Sequence, residues 1–206
     1  MAFVQRVWTP ANIFQSPADL YFNLAAPASS LVPTADANTL VLDANGQPSS
    51  ATGFHAGLME APTMPTITEK ANEIHADQSE TPVDVGFGSI EAEIDCIVKE
   101  LNLSRLQTFL GSANLGAYTV LGASQAWQIG GQLDSSASPM SVTAVSQRRD
   151  ALGKFAYWML YKAYLTAPVQ MVFQRIKEHV FKLKFKGVMD LTRVPGDELM
   201  QIVRQK

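Results

Sequence analysis

Glu91, Glu93 and Asp95 stand at every second position of the stretch 88–101 and are the residues of this chain best spaced to do chemistry. Ile90, Ala92, Ile94, Cys96 and Val98 fill the positions between them. In an extended strand, alternate side chains point to opposite faces, so the three acids share one face and the apolar residues the other. Glu91 and Glu93 then sit about 7 Å apart at the backbone. Paired carboxylates at such separations hydrolyse glycosides, but a catalytic pair flanks a cleft. Here both acids lie on one strand, and no aromatic platform for a sugar accompanies them. Of the three histidines, His75 precedes Ala76-Asp77 and could seed a metal site, yet no second ligand cluster goes with it; His55 and His179 stand alone. Cys96 is the sole cysteine and falls on the apolar face, which excludes an intrachain disulfide and favours a buried, inert thiol. No Gly-rich phosphate loop with a following Lys-Ser/Thr and no Gly-x-Ser-x-Gly elbow occurs. The glycines from Gly111 to Gly122 lack the strand-to-helix setting of a dinucleotide fingerprint. The expectation is a protein that is not an enzyme and needs no cofactor or metal. An acidic strand face has another use: it can form a wall facing water, or simply a solvated outer surface.

The elements that would carry this face read mainly as strands. At helical spacing the acids of 88–101 would scatter round the cylinder, so the alternation predicts a long strand. The stretch 66–76 predicts another, polar on both faces, with Ile67, Glu69, Ala71, Glu73 and His75 on one side. Such a strand is poorly specified unless water or another subunit lies beside it. The two acidic strands are sequence neighbours and are expected to pair. Shorter strands are expected at 19–24, 53–59, 118–121, 126–129, 140–146 and 169–173, and a strand or arm at 3–8. An Asn45-Gly46 pair after 39–42 signals a hairpin inside a long Ala/Ser/Pro-rich loop at 25–50. Ser104-Arg105-Leu106-Gln107 is a capping box, and Leu103, Leu106, Phe109 and Leu110 form one stripe, predicting a short helix packed on the sheet. The aromatic-rich stretch 155–165 fits helix or strand, and its Tyr and Trp content favours strand. In 180–186, Phe181, Leu183 and Phe185 alternate with Lys182, Lys184 and Lys186, an inward apolar row opposite a lysine row. The stretch 197–206, with Leu199, Ile202 and Val203 apolar, reads as a short terminal helix or arm.

Charge is sparse and unevenly spread. Only 17% of residues are charged, which suits a surface partly covered by a partner. Residues 1–147 hold 4 Lys/Arg and 14 Asp/Glu, a balance of −10, and residues 148–206 hold 12 and 5, a balance of +7. Such polarity suits copies that meet head to tail, acidic patch on basic patch. A nucleic-acid-binding basic tail fits less well, because the C-terminal cations alternate with apolar residues. The start of the chain shows no charged region followed by an apolar run, and no stretch is long and apolar enough to span a bilayer, so the expected setting is cytoplasmic.

Gly53-Phe54-His55-Ala56-Gly57-Leu58, Ala76-Asp77-Gln78 and Pro82-Val83-Asp84 are followed by the long alternating strand and a short amphipathic helix. Later come Gly187-Val188-Met189-Asp190-Leu191-Thr192-Arg193 and Pro195-Gly196-Asp197. Across 53–111 and 140–203 the chain resembles the phage tail tube protein, the major tail protein of long-tailed bacteriophages. The resemblance implies a mainly β (α+β) fold: a β-sandwich or split β-barrel with one short packed helix. It implies one domain over 1–206, with the loop 25–50 and terminal arms 1–10 and 197–206. It further implies stacked, hexameric rings forming a tube, assembled in the host cytoplasm and found in the virion tail. The partners would be other copies of the chain and other tail proteins such as tape measure, terminator and baseplate. Genomic DNA would pass without sticking, and no membrane would be entered. On that resemblance Glu69, Glu73, Glu91, Glu93 and Asp95 would line the lumen, and Lys182, Lys184 and Lys186 would serve contacts between rings. A secretion-system tube subunit, a head-tail connector, or a carbohydrate-binding β-sandwich of a tail fibre are the alternative readings.

Overall fold

The alternation centred on Glu91 does form one long strand, β4 (Asp84–Val98), and the rest of the fold is arranged along it. The structure is a computed structural model that describes residues 18–27, 29, 40, 48, 53–60, 63–74, 84–99, 118–121, 124–127, 139–147, 156–166, 170–172 and 180–204. In chain order the strands are β1 (Ala18–Phe22), β2 (Phe54–His55), β3 (Met64–Ile74), β4, β5 (Tyr118–Leu121), β6 (Ser124–Trp127), β7 (Met140–Ser146), β8 (Ala156–Leu165), β9 (Gln170–Val172), β10 (Val180–Val188) and β11 (Met200–Arg204). One antiparallel sheet runs β2-β1-β7-β8-β10-β4-β3, with β11 added on β8 and β9 on β10; β5 and β6 make a separate hairpin. No described residue is helical. The expected strand or arm at 3–8, the Asn45-Gly46 hairpin, the helix after Ser104 and the His75-Ala76-Asp77 cluster all lie outside the described residues.

The stretch 155–165 resolves as strand β8, buried on both faces in its middle. β7 covers one of its edges, and β10 and β11 share the other: Gly187 pairs with Ala163, and Met200 with Leu160. β11 is therefore collinear with β10 rather than the helix or arm expected at 197–206. The spacing of Leu199, Ile202 and Val203 imitates a helical stripe. Two of those residues are β-branched, and β8 offers an edge of backbone partners that a one-turn helix would forgo. Between β10 and β11 the chain makes an excursion closed by Asp190 N–H on Glu198 O at 2.7 Å. A β-carbon on Gly187 would meet Leu199 Cδ1 at 3.1 Å, Leu160 Cδ2 at 3.3 Å and Ala92 O at 3.4 Å, so the base of the excursion is tightly packed and a side chain there would require its neighbours to give by a few tenths of an ångström.

Two apolar clusters hold the sheet. Leu20, Phe22, Ile94, Val98, Leu160 and Phe185 belong to the first, all essentially without exposure. Phe22 lies 5.3 Å from Phe185 and 5.4 Å from Phe54, ring to ring. The second cluster covers the other face of β1, β7 and β8, with Tyr21, Val145, Tyr157, Met159 and Tyr161; Leu24 and Leu40 complete it. Leu40 ties the 25–50 loop to the sheet. Thr143 is fully buried, and its hydroxyl has no hydrogen-bond partner among the described residues. Cys96 is buried as expected; its thiol donates to Leu183 O at 3.7 Å, and burial pushes its pKa up to about 12, first of all through lost solvation.

A strap at 54–60 joins the two flanks of the sheet. β2 pairs with β1, and Ala56 N–H donates to Leu20 O at 2.8 Å. Three residues on, Met59 bridges Val98, with Lys99 N–H on Leu58 O at 2.7 Å and Glu60 N–H on Ile97 O at 2.9 Å. Gly57, at φ 102°, makes the turn between the two pairings, a backbone conformation that suits glycine. Its N–H donates to His55 Nδ1 at 3.1 Å. His55 Nε2 faces Asp19 Oδ1 at 3.6 Å, and Gln147 Nε2 donates to that same oxygen at 2.5 Å. Burial pushes the Asp19 carboxyl up, but these two partners outweigh it and hold it below the ordinary range.

Candidate functional site

The acids of β4 do share one face, and the register gives them neighbours on both sides. β10 runs antiparallel beside β4, with Lys184 opposite Asp95 and Lys186 opposite Glu93. Directly opposed residues point to the same face, so Lys182, Lys184 and Lys186 stand beside the acids. Lys186 Nζ lies 3.0 Å from Glu91 Oε2, Lys184 Nζ 2.8 Å from Glu93 Oε2, and Lys70 Nζ, from β3, 2.5 Å from Glu91 Oε1. The bond from Lys70, then that from Lys186, holds the Glu91 carboxyl below its ordinary range. In turn Glu93 raises Lys184 and Glu91 raises Lys186. Glu91 and Glu93 from the set that the resemblance assigns to the lumen, and Lys184 and Lys186 from the set it assigns to the ring interface, are thus members of one ladder of ion pairs across three strands, with Asp95 and Lys182 on the same face.

The other two acids are not brought to this ladder. Glu69 is opposite Ile90, so it belongs to the face of Ile90 and Ala92, away from Glu91 and Glu93. Glu73 is opposite Val85, beyond an irregularity between Glu69 and Ala71. Lys70, which the sequence did not single out, is the member supplied in their place. Its signal is present but mute: it is the first base after Arg6, and only the β3–β4 register shows which acid it meets.

The second feature is where β4 leaves the body. β10 accompanies β4 only from Val98 to Glu93; from there to Asp84 its described partner is β3 alone. Residues 66–71 are all exposed, as are residues 88–90. Ile67 and Ile90, on the face that continues the core, are 45% and 56% exposed. This is a two-stranded ribbon with wet faces and a long outer edge.

The motif from Gly187 to Asp197 proves to be a braced corner. Asp190 Oδ1 accepts from Thr192 N–H at 3.1 Å and Thr192 Oγ1 at 2.7 Å, and pairs with Lys162 Nζ at 2.8 Å. Lys162 first, then Thr192, lower the Asp190 pKa to about 2. Arg193 Nη2 binds Asp197 Oδ2 at 2.7 Å, its Nε the Asp197 carbonyl at 2.9 Å, and its Nη1 the Pro27 carbonyl at 3.0 Å. The guanidinium also lies 3.7 Å over the Tyr161 ring, whose hydroxyl donates to Asp197 Oδ1. Burial, then that bond, raises the Tyr161 phenol. Val194-Pro195-Gly196-Asp197 closes as a turn, with Asp197 N–H on Val194 O at 3.0 Å and Gly196 at φ 93°, the Pro-Gly pattern of a type II turn. Val194 N–H donates to Ser29 Oγ at 2.7 Å, so this corner also grips the start of the 25–50 loop. The corner holds Leu191 out at 81% exposure. Among the described residues no group of three or more His, Cys, Asp or Glu side chains could hold a metal ion.

No family model matches the chain, and no curated protein matches it. Among solved structures it is similar to a chain in the cryo-EM structure of the anti-feeding prophage (AFP) baseplate, six-fold symmetrised. The likeness covers 97% of this chain and 99% of that one, at 10% identity and a TM-score of 0.39. A likeness of that grade does not say what this chain does.

Proposed function

We propose that this chain is a structural subunit of a phage tail tube, acting by assembly and without a chemical step. In this reading the nine-stranded sheet, strapped across its flanks at 54–60, works as a split barrel. Copies join side by side into hexameric rings, and rings stack into a tube that conducts DNA. The observation that carries the proposal is the β3–β4 ribbon. A two-stranded ribbon is marginal alone in water, and a long bare edge strand invites pairing with another chain. Residues 66–71 are exposed without interruption, so the ribbon gains its missing partners when a neighbouring copy lies against its edge. Ring closure then removes the edge. The resemblance at 53–58 and 187–197 supports the same reading, because both stretches do structural work: the strap and the braced corner.

Negative-stain microscopy and size-exclusion chromatography with light scattering test it. The expected result is rings or hollow rods of one diameter. A monodisperse monomer at high micromolar concentration overturns the proposal.

A further inference from the structure

The ladder face has a property that an acidic wall would lack. It carries four lysines, Lys70, Lys182, Lys184 and Lys186, against Glu91, Glu93 and Asp95. Lys184 and Lys70 side chains are 39% and 56% exposed, whereas the Glu93 and Glu91 carboxylates that hold them are 23% and 25% exposed. Lys70 and Lys184 therefore reach further into solvent than the acids that hold them, while Lys186, at 27%, is level with Glu91. Along β10, alternate residues rise about 6.8 Å, close to the rise of two successive phosphates along one strand of a duplex, about 3.4 Å each. A row of cations with this repeat, on a face with no net negative charge, is complementary to a phosphate backbone once its own counter-ions release it.

We infer that Lys70, Lys184 and Lys186, with Lys182 next to them on β10, form a latent contact strip for a nucleic-acid backbone, kept closed by Glu91 and Glu93, the intramolecular counter-ions of Lys70, Lys184 and Lys186. The carboxylates act by occupying the lysines, which lets a polyanion pass a cationic row without being held. The biological meaning rests on the tube reading, since it requires DNA to pass this face; the binding itself does not.

The test is fluorescence anisotropy with a labelled 20-base-pair duplex, comparing the chain with its Glu91→Gln/Glu93→Gln variant, both shown to be folded by circular dichroism. The single variant Glu93→Gln, which frees Lys184 alone, serves if the double variant does not fold. At 50 mM salt the double variant should bind at least tenfold tighter than the parent. Its affinity should fall on the order of 50-fold between 50 and 200 mM salt, as release of counter-ions from about three phosphates requires. Adding Lys70→Ala/Lys182→Ala/Lys184→Ala/Lys186→Ala should abolish the gain. Equal affinity of parent and variant, or a gain that survives loss of the four lysines, overturns the inference. Negative-stain images of the same samples separate the two proposals. Rods without the gain sink the strip and leave the tube; the gain without rods keeps the strip and sinks the tube.

Discussion

β4 passes through two environments, and the contrast between its halves is the most instructive feature of the molecule. From Ala92 to Val98 its even-numbered residues are 0–4% exposed, with β10 on one side and β3 and the strap on the other. At Ile90, one step further in the same alternation, exposure is 56%. Periodicity therefore assigned a side chain to a face, while burial depended on whether a second layer reached that far. The body is a two-faced sheet closed by Phe22, Phe54 and Phe185; the ribbon is the same kind of strand, with no second layer on it among the described residues.

Truncation should separate the halves most strongly. Phe185→Ala removes a fully buried ring that touches Phe22, and should cost about 3–5 kcal/mol in a denaturant titration. A cost below about 1 kcal/mol would mean that the body is no better packed than the ribbon. Arg193→Ala comes next. Its side chain is 7% exposed, and its loss removes the cation paired with Asp197 Oδ2 and the donor to the Pro27 carbonyl, so a loss of about 3 kcal/mol is expected. Arg193→Lys should recover little of it, because an ammonium cannot lie flat on Tyr161 while making the same bonds. Thr143→Val replaces a buried hydroxyl that has no partner among the described residues with a methyl group and should raise stability by up to about 1 kcal/mol; a loss would show that the hydroxyl has a partner in solution. Ile90→Ala should change the stability of the separate chain by less than about 0.5 kcal/mol, yet reduce assembly seen by light scattering. If assembly is untouched, the ribbon face is not an interface. The pH response should be the mildest. Asp190 has a folded pKa depressed to about 2, so its contribution is complete above the unfolded value near 3.9 and fades as pH falls towards 2. A melting temperature that falls between pH 4 and pH 2 in the parent, and less so in Asp190→Asn, is the expected pattern.

Much of the framework was legible because strand alternation is a local signal. The strands around Glu91, Phe185 and Val142 lie where their spacing placed them, and 155–165 is a strand as its aromatic residues favoured. The C-terminal stretch misled because five residues are too few for periodicity to tell one helical turn from an edge strand. The −10 and +7 balance pointed to attraction between copies, yet part of it is met within the chain, at Glu91 with Lys186 and Glu93 with Lys184.

The sequence by itself determined that Glu91, Glu93 and Asp95 share a face, that Lys182, Lys184 and Lys186 share another row, and that Cys96 points inward, because each statement needs only the two-residue repeat of one strand. Tertiary structure alone decided that the two rows are adjacent, that Lys70 joins them while Glu69 turns away, and that Ile90 stays wet. These depend on register and strand order, and partners 21 residues apart, as Lys70 and Glu91 are, or about 90, as Glu93 and Lys184 are, leave no trace in any local pattern.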